Sequence, residues 1–377
     1  MEIATFAYDQ RLGWAEPLRS DWDSSRTLVI VFGAASFLNN SEPLRSLSDQ
    51  FPHSKFIGCS TAGEIHARTV YDECLVGAVV RFDETELQVA TAPISAAQDS
   101  FRTGARIAHD LNKPGLKGVL VLSDGLNVNG SQLVAGMNSV LPSTVATSGG
   151  LAGDDDRFQT TWVLKGRVPK SNYVSAVGFY GEKVKIRHGS QGGWDIFGPE
   201  RKITKAKDNQ LFELDGKPAL ELYKNYLGDR AADLPASALL FPLSLRAEAG
   251  HEKRTVRTIL SVNEKNQSMT FAGDVPEGSL VQLMRANFDR LIDGASEAAL
   301  MASEESSKPL LSIAISCVGR RLILGERTEE ELEAVMDALP ESTKQIGFYS
   351  YGEISPHATG HCDLHNQTMT LTTIRED

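Results

Sequence analysis

The chain has 377 residues, of which 41% are apolar and 23% are charged, and its formal net charge is -11. This length exceeds one ordinary hydrophobic core and fits two domains of roughly 150 to 200 residues each, in a globular rather than a disordered protein. A negative chain without a dense stripe of lysine and arginine repels a phosphate backbone, so we exclude nucleic acid as a partner.

The N-terminal stretch MEIATFAYDQRLGW has no basic segment followed by an apolar one, so it predicts no secretory signal. No window reaches the ~18 uninterrupted apolar residues that span a bilayer, and we expect a cytoplasmic protein without a membrane partner. The four cysteines, Cys59, Cys74, Cys317 and Cys362, include no CxxC pair. We expect them to be free thiols.

The first repeated unit begins with the strand-like run TLVIVF at 27–32. A helical pattern, the stop Phe51-Pro52 and the strand SKFIGC follow, and the unit ends in the glycine loop GCSTAGEI at 58–65. The proline ends the helix because it cannot continue it, and the residue before a proline avoids the helical region.

Two further stretches repeat this order, each with a helix stopped by a Leu-Pro pair. One runs from GVLVLS at 118–123 to the glycine loop GGLAGDD at 149–155, and the other from LLSIAIS at 310–316 to GFYSYGEI at 347–354. Repeated strand–helix–strand modules predict a mixed α/β (α+β) fold. The sheet order does not follow from the pattern.

The glycine loops are the first candidate for a binding site. Glycine at a strand end permits positive φ and lets backbone N–H groups approach a bound group, while polar neighbours on an apolar wall are typical of a small-molecule pocket. The alternative is a tight turn in which Glu64 or Glu353 bonds the neighbouring backbone. The candidate ligand-binding residues are Gly58, Cys59, Ser60, Thr61, Gly63, Glu64, Gly150, Gly153, Tyr349, Tyr351, Gly352 and Glu353.

These loops and several other motifs resemble the FIST family, a bacterial sensory domain with an N-terminal and a C-terminal half. The matching stretches are GCSTAGEI, SGGLAGDDDRF, ELDGKPALELYKNYLG, FAGDVPEGS, SCVGRRLILGER, GFYSYGEISP and LHNQTMTLTTI. The last of them adds Asn366 to the ligand-binding candidates. The resemblance spans about residue 25 to the C-terminus and implies a ligand-binding input domain in signal transduction.

Family membership also implies an output that receives the signal. Many FIST domains are attached to a kinase, cyclase or chemoreceptor, and no such sequence follows Asp377, so we expect the signal to pass to a separate protein. Some stand-alone members resemble haem-binding nitric oxide sensors, the NosP group, which regulate a separate histidine kinase. The resemblance thus implies a sensor of a gas or small molecule and not an enzyme, and homo-oligomer formation stays open.

A haem sensor needs one axial protein ligand, usually histidine, in a dry pocket. His188 lies in KIRHGSQGGWDIFGP, where a strand-like segment meets glycines, and Trp194 and Phe197 are near enough in sequence to wall a flat macrocycle. We therefore take His188 as the candidate iron ligand. The alternative is a hydrogen-bonded or solvent-facing histidine at a strand end.

Arg320 in SCVGRRLILGER is the candidate partner for a haem propionate, because a guanidinium presents a bidentate fork to a carboxylate. In a haem-free alternative, Arg320 and the glycine-loop amides hold the carboxylate of an amino acid or similar metabolite. The competing explanation is a salt bridge with Glu326 or Glu329.

The tail HATGHCDLH brings His357, His361, Cys362 and His365 together in sequence, which invites a metal interpretation. Proline before this stretch and glycine inside it favour a polar loop over a zinc-binding helix face. Iron ligation by a tail histidine, or by His251, is the alternative to His188.

Catalysis is the remaining alternative, with Cys59 or Ser60 as the nucleophile. The stretch GCSTAG is one residue off the nucleophile-elbow spacing, and a cysteine at a strand end is usually a small buried hydrophobe. We therefore predict that the chain is not an enzyme.

The motif at 213–228 also sets the predicted domain boundary. Asp215-Gly216 is typical of a turn, and Pro218 stands where a new helix can begin. We predict an N-terminal domain over 1–217 with two copies of the module and a C-terminal domain over 218–377 with the third.

Overall fold

A computed structural model describes residues 1–248, 254–304, 308–356 and 362–377. The strands of the first half are β1 (Glu2–Asp9), β2 (Gly13–Trp14), β3 (Thr27–Gly33), β4 (Lys55–Ser60), β5 (Glu64–His66), β6 (Thr69–Tyr71), β7 (Leu75–Arg81), β8 (Glu86–Pro93), β9 (Leu116–Ser123), β10 (Ala146–Leu151), β11 (Val163–Lys165), β12 (Val168–Lys170), β13 (Tyr173–Tyr180) and β14 (Val184–Gln191).

The second half adds β15 (Asp195–Lys207), β16 (Gln210–Leu214), β17 (Lys217–Pro218), β18 (Leu243–Arg246), β19 (Thr255–Arg257), β20 (Ile259–Asn263), β21 (Ser268–Phe271), β22 (Leu280–Arg285), β23 (Leu310–Cys317), β24 (Thr343–Ser350), β25 (Gly352–Pro356), β26 (Cys362–His365) and β27 (Met369–Glu376). The helices are α1 (Glu42–Gln50), α2 (Ser100–Leu111), α3 (Gly130–Asn138), α4 (Ala219–Leu227), α5 (Phe288–Ala302), α6 (Val318–Leu324) and α7 (Thr328–Asp337). Among them, none has the length and apolar character that crossing a membrane requires.

The predicted mixed α/β fold and its repeated modules are confirmed. Each module contains a parallel strand pair with its helix or helices between the two strands: β3 and β4, β9 and β10, and β23 and β24. An antiparallel strand, β7, β13 or β27, flanks the first strand of each pair. The three sheets therefore repeat one arrangement, as the common strand–helix–strand pattern requires.

The three sheets exchange hairpins in a closed ring. The hairpin β5–β6, which follows the first glycine loop, pairs with β24 of the third module. The hairpin β25–β26 of the third module pairs with β10 of the second, and β11–β12 of the second pairs with β4 of the first. One side of each sheet is thus extended by a hairpin from another module, which ties the three modules together.

The inner faces of the three sheets enclose a shared hydrophobic core. Phe32 of the first module and Phe348 of the third lie with ring centroids 4.7 Å apart, and Leu122 of the second belongs to the same buried cluster. The alternation of inward side chains along each strand places these residues on one face.

A fourth sheet stands beside this core. It has the order β19-β18-β22-β15-β16-β21-β20, with β17 paired to β16, and α4 packs on it through a separate hydrophobic cluster. Strands from both sides of residue 217 share the third and fourth sheets, since β14 pairs with β27 and β15 with β22. The boundary at 217 stays a prediction.

We expect Phe348→Ala to destabilise the whole molecule, because it opens a cavity where all three sheets meet. Truncation of a fully buried phenylalanine costs about 3 to 5 kcal/mol. Urea unfolding monitored by circular dichroism measures the loss, and Phe101→Ala, at a side chain that is 44% exposed, is the matched control. A change below about 1 kcal/mol for both variants would contradict a shared core.

Candidate functional site

The glycine loops of the three modules meet and bond to one another through their backbones. Ala62 donates to the carbonyl of Tyr349 at 2.8 Å, and Tyr349 donates back to Gly63 at 2.9 Å. Gly153 donates to the carbonyl of Ser60 at 3.0 Å. Gly63 has φ of +126°, and a Cβ there would collide with the guanidinium of Arg321, so this loop requires glycine.

Each loop carries a buried carboxylate that fixes its conformation. Glu64 accepts hydrogen bonds from the Thr61 hydroxyl and, at 3.4 Å, from the Cys74 thiol. Glu353 accepts from the Ser350 hydroxyl at 2.7 Å and from the backbone and hydroxyl of Thr368. These contacts are those of the turn alternative, and a ligand contact by either glutamate stays a prediction.

The third carboxylate, Asp154, takes the same place in the second module. It accepts from the backbone N–H groups of Gln159 and Thr160 at 2.8 Å each and from the hydroxyl of Tyr351. Tyr351 in turn stacks on Phe158 with centroids 4.3 Å apart and planes at 14°. This aromatic pair links the second and third loops at the face toward the fourth sheet.

All the predicted loop residues are buried, and so is Asn366. Tyr351 lines a cavity, and a ligand contact by the others stays a prediction. The amide of Asn366 is fully buried, and neither of its polar atoms has a hydrogen-bond partner among the described residues. The loop residues are Gly58, Cys59, Ser60, Thr61, Gly63, Glu64, Gly150, Gly153, Tyr349, Tyr351, Gly352 and Glu353.

The first cavity of interest, which we call the aromatic cavity, has a volume of about 410 Å³ and lies between the core and the fourth sheet. The residues that line it are Asp156, Phe158, Asp233, Leu234, Pro235, Leu239, Thr258, Ile259, Leu260, Ala272, Cys317, Val318, Gly319, Leu322 and Tyr351. The aromatic pair Phe158–Tyr351 forms part of its wall.

The second, which we call the His188 cavity, has a volume of about 540 Å³. It is lined by His188, Gly189, Ser190, Gln191, Gly192, Gly193, Trp194, Arg254, Val256, Met284, Met301, Pro356, His365 and Thr368. The fold thus brings the predicted residues His188 and Trp194 to one cavity. Phe197 lies outside its lining and is 37% exposed, with the guanidinium of Arg285 over its ring at 5.7 Å.

His188 projects from the edge strand β14. Burial lowers the pKa of its imidazole, and its Nδ1 is buried without a hydrogen-bond partner among the described residues. Trp194 is held in place because its Nε1 donates to the carbonyl of Gln367 at 2.7 Å. The cavity therefore contains an imidazole whose neutral form is favoured by burial, beside a fixed aromatic wall.

Arg320 makes all its observed polar contacts to other groups within the protein. Its side chain has no exposed surface, and the guanidinium pairs with Glu331 at 2.8 Å and donates to the carbonyls of Gly192 and Leu291. The salt-bridge partner is therefore Glu331 rather than the predicted Glu326 or Glu329, because α7 turns Glu331 into the interior. A ligand role for Arg320 stays a prediction.

The other histidine candidates for a metal or haem ligand are not brought together within the described residues. His251, His357 and His361 lie outside the described residues, and His365 donates from Nε2 to the carbonyl of Ser355 at 3.1 Å, given the matching tautomer. No group of three or more histidine, cysteine, aspartate or glutamate side chains within the described ranges has the arrangement of a metal site.

Cys59 and Ser60 are both fully buried. Burial raises the pKa of the Cys59 thiol, which opposes thiolate formation, and the Ser60 hydroxyl accepts from the backbone of Trp162 at 3.0 Å. Neither residue lines the aromatic cavity or the His188 cavity.

Sequence reasoning missed Phe158, Arg254 and Thr258 as cavity residues. Phe158 follows an acidic run beside the second glycine loop, and this position in the sequence could have identified it as a candidate. Arg254 and Thr258 flank the short strand β19, which carries none of the motifs, so only the packing of the fourth sheet on the core identifies them.

Two family models match the chain in order: the FIST N domain over residues 27–217 and the FIST C domain over residues 219–356. The chain belongs to the FIST family. FIST domains are ligand-binding sensory domains of signal transduction, so the coarse part of the predicted function is confirmed. Haem, nitric oxide and a kinase partner are not part of that finding.

The FIST chain is also similar to an uncharacterized protein of Methanocaldococcus jannaschii, with 26% identity over 239 residues. The match covers 56% of this chain and 45% of the relative, so the chain spans less than half the length of the curated relative that it matches. Among solved structures, a cyanuric acid hydrolase from A. caulinodans aligns with 100% of this chain and 98% of its own, at a TM-score of 0.38 and 8% identity.

The prediction that the chain is not an enzyme is corrected by this last comparison, since a solved structure that aligns with the whole chain is a hydrolase. A likeness of this degree carries no argument about catalysis by the FIST chain.

We expect the two loop glutamates to make stability depend on pH. Burial raises the pKa of Glu64 and of Glu353 from 4.5 to about 8, against the hydrogen bonds that favour their ionised forms. From about pH 4.5 to about pH 8 the unfolded chain has already released these protons and the folded chain retains them. Stability therefore falls as the pH rises through this window, by at most about 1.4 kcal/mol per pH unit for each carboxyl.

Glu64→Gln should reduce this slope, because the amide does not titrate. Urea unfolding at a series of pH values measures it, and Glu86→Gln at an exposed position of β8 is the control that should leave the slope unchanged. An identical slope in Glu64→Gln and in the unmodified chain would show that Glu64 is ionised in the folded state.

Proposed function

We propose that this FIST protein is a cytoplasmic haem-based sensor of nitric oxide, that its haem binds in the His188 cavity, and that it regulates a separate histidine kinase. The observation that supports the haem site most directly is the single cavity lined by His188, Trp194 and Arg254. The family supports a sensory role in general, and the cofactor, the gas and the kinase are the proposal.

The His188 imidazole fits an iron ligand in its protonation state. Iron takes the lone pair of a neutral imidazole, and burial lowers the pKa of His188 so that the neutral form is favoured. A buried nitrogen without a partner costs folding free energy, and coordination of a metal would remove that cost.

The rest of the lining suits a planar group with acidic edges. Trp194, Val256, Met284 and Met301 supply apolar walls. The exposed guanidinium of Arg254 makes hydrogen bonds of 3.5 Å to Ser244 and Gln282, at the upper limit of hydrogen-bond distance, so it is available for a propionate. A volume of about 540 Å³ lies within the range of cofactor pockets.

A bound haem would supply an iron atom that coordinates the gas. The chain would couple that event to its surface through β14, on which Gly189, beside His188, lies directly under the backbone of Ala298 in α5. Arg187 on the same strand pairs with Glu304 at 3.0 Å, just after α5. A displacement of His188 would thus reach α5, provided that the gas favours one of two arrangements.

We expect His188→Ala to lower haem retention strongly, because the axial ligand is lost. The protein is purified after expression with haem supplied, and the Soret absorbance per chain is measured. His109→Ala, at an exposed position of α2, is the matched control and should retain the haem of the unmodified chain. In the same assay Arg254→Gln should lower the Soret absorbance per chain without shifting the position of the band, because the axial ligand is unchanged.

A Soret band of unchanged position and intensity in His188→Ala would overturn the site assignment. Absence of any band in the unmodified chain, together with no uptake of added hemin, would reject the haem proposal itself. Kinase autophosphorylation with and without nitric oxide then tests the output, which should respond in the unmodified chain and in His109→Ala but not in His188→Ala.

A further inference from the structure

The aromatic cavity is separate from the proposed haem site and has its own chemistry. Three apolar side chains around it are unusually exposed: Phe158 at 44%, Leu260 at 42% and Leu322 at 43%. They come from the second glycine loop, the fourth sheet and α6, so three different elements bring apolar surface to one place. Convergent exposed apolar surface around a concavity is typical of a ligand site.

The stacked pair Phe158–Tyr351 gives the wall a flat aromatic face. Tyr351 is only 7% exposed, and its hydroxyl is held by Asp154 and by the backbone of Phe158, so the ring orientation is fixed. A fixed aromatic face favours another planar ring, and it attracts a cation through the electron density above the ring.

The charged residues that line this cavity are both acidic. Asp156 and Asp233 are exposed, and neither forms an ion pair with another described residue. No lysine, arginine or histidine is among the lining residues within the described ranges. The charged residues of the lining are therefore negative only, which disfavours a carboxylate ligand, in contrast to the His188 cavity with Arg254.

A buried hydroxyl in the lining has no partner. Thr258 is 5% exposed, and its Oγ1 forms no hydrogen bond to any described residue. A polar atom that is buried and unpaired lowers stability unless a ligand or a water satisfies it. Among the described residues that line this cavity, Thr258 is the one whose side chain has a buried hydroxyl without a partner.

We propose that the aromatic cavity binds a planar aromatic cation, such as a protonated aromatic amine. The ring system lies against Phe158, Tyr351 and Leu260, an N–H group donates to the Thr258 hydroxyl, and the positive charge is stabilised by Asp156 and Asp233. This site does not depend on haem and does not use His188, so the two proposals succeed or fail separately.

The test uses two probes of matching ring size on the purified full chain: proflavine, a planar cation, and 9-anthracenecarboxylate, a planar anion. Isothermal titration calorimetry at low salt should give one proflavine site per chain, with the carboxylate at least about tenfold weaker. Since the two aspartates are exposed, proflavine affinity should fall as salt is added. Equal affinity for the two probes would overturn the proposal.

Variants assign the binding to the cavity. Asp156→Asn combined with Asp233→Asn should weaken proflavine about tenfold, whereas Asp49→Asn combined with Asp110→Asn removes the same charge from α1 and α2 and should change it less than twofold. Equal losses in the two double variants would show that the probe binds the general negative surface, which overturns the site.

Thr258→Val keeps the side-chain shape and removes the hydroxyl, so it should weaken proflavine about fivefold without lowering the midpoint of thermal unfolding. His188→Ala should leave proflavine affinity unchanged. Unchanged proflavine affinity in Thr258→Val would remove Thr258 from the site, and loss of proflavine binding in His188→Ala would reject a separate cavity.

Discussion

The exchange of hairpins among the three sheets is the constraint on which the rest of the structure depends. Each glycine loop is the point where the chain leaves one sheet and enters the next, so the loop conformation and the sheet pairing are fixed together. The loop carboxylates Glu64, Asp154 and Glu353 are buried because this junction is buried, and their hydrogen bonds hold the junction. Glycine and a short polar network are needed there for structural reasons alone.

The fourth sheet breaks this threefold arrangement and creates both cavities. It covers one side of the core, and a single short stretch contributes to both, with Arg254 and Val256 in the lining of the His188 cavity and Thr258 and Leu260 in that of the aromatic cavity.

The charged side chains that line the two cavities differ in sign, although the cavities share this stretch of backbone. Arg254 makes the His188 cavity suitable for an anionic planar group, while Asp156 and Asp233 make the aromatic cavity suitable for a cation. The fully buried Arg320 is paired with Glu331. The Tyr349 hydroxyl also donates to Glu331, so this network joins α6, α7 and β24. The exposed charged residues around each cavity therefore determine whether it favours an anionic or a cationic ligand.

The sequence by itself determined the modules, the family and the order in which a glycine loop with a carboxylate follows a strand. It could do so because hydrophobic period, proline stops and glycine are local signals. It also placed His188 and Trp194 together, since they are close in the chain. Only the tertiary structure decided that hairpins exchange between sheets, that Glu331 is the partner of Arg320, and that Thr258 and Phe158 share a cavity with Tyr351. Those pairings join residues far apart in sequence, and they depend on how whole sheets pack, which no local pattern encodes.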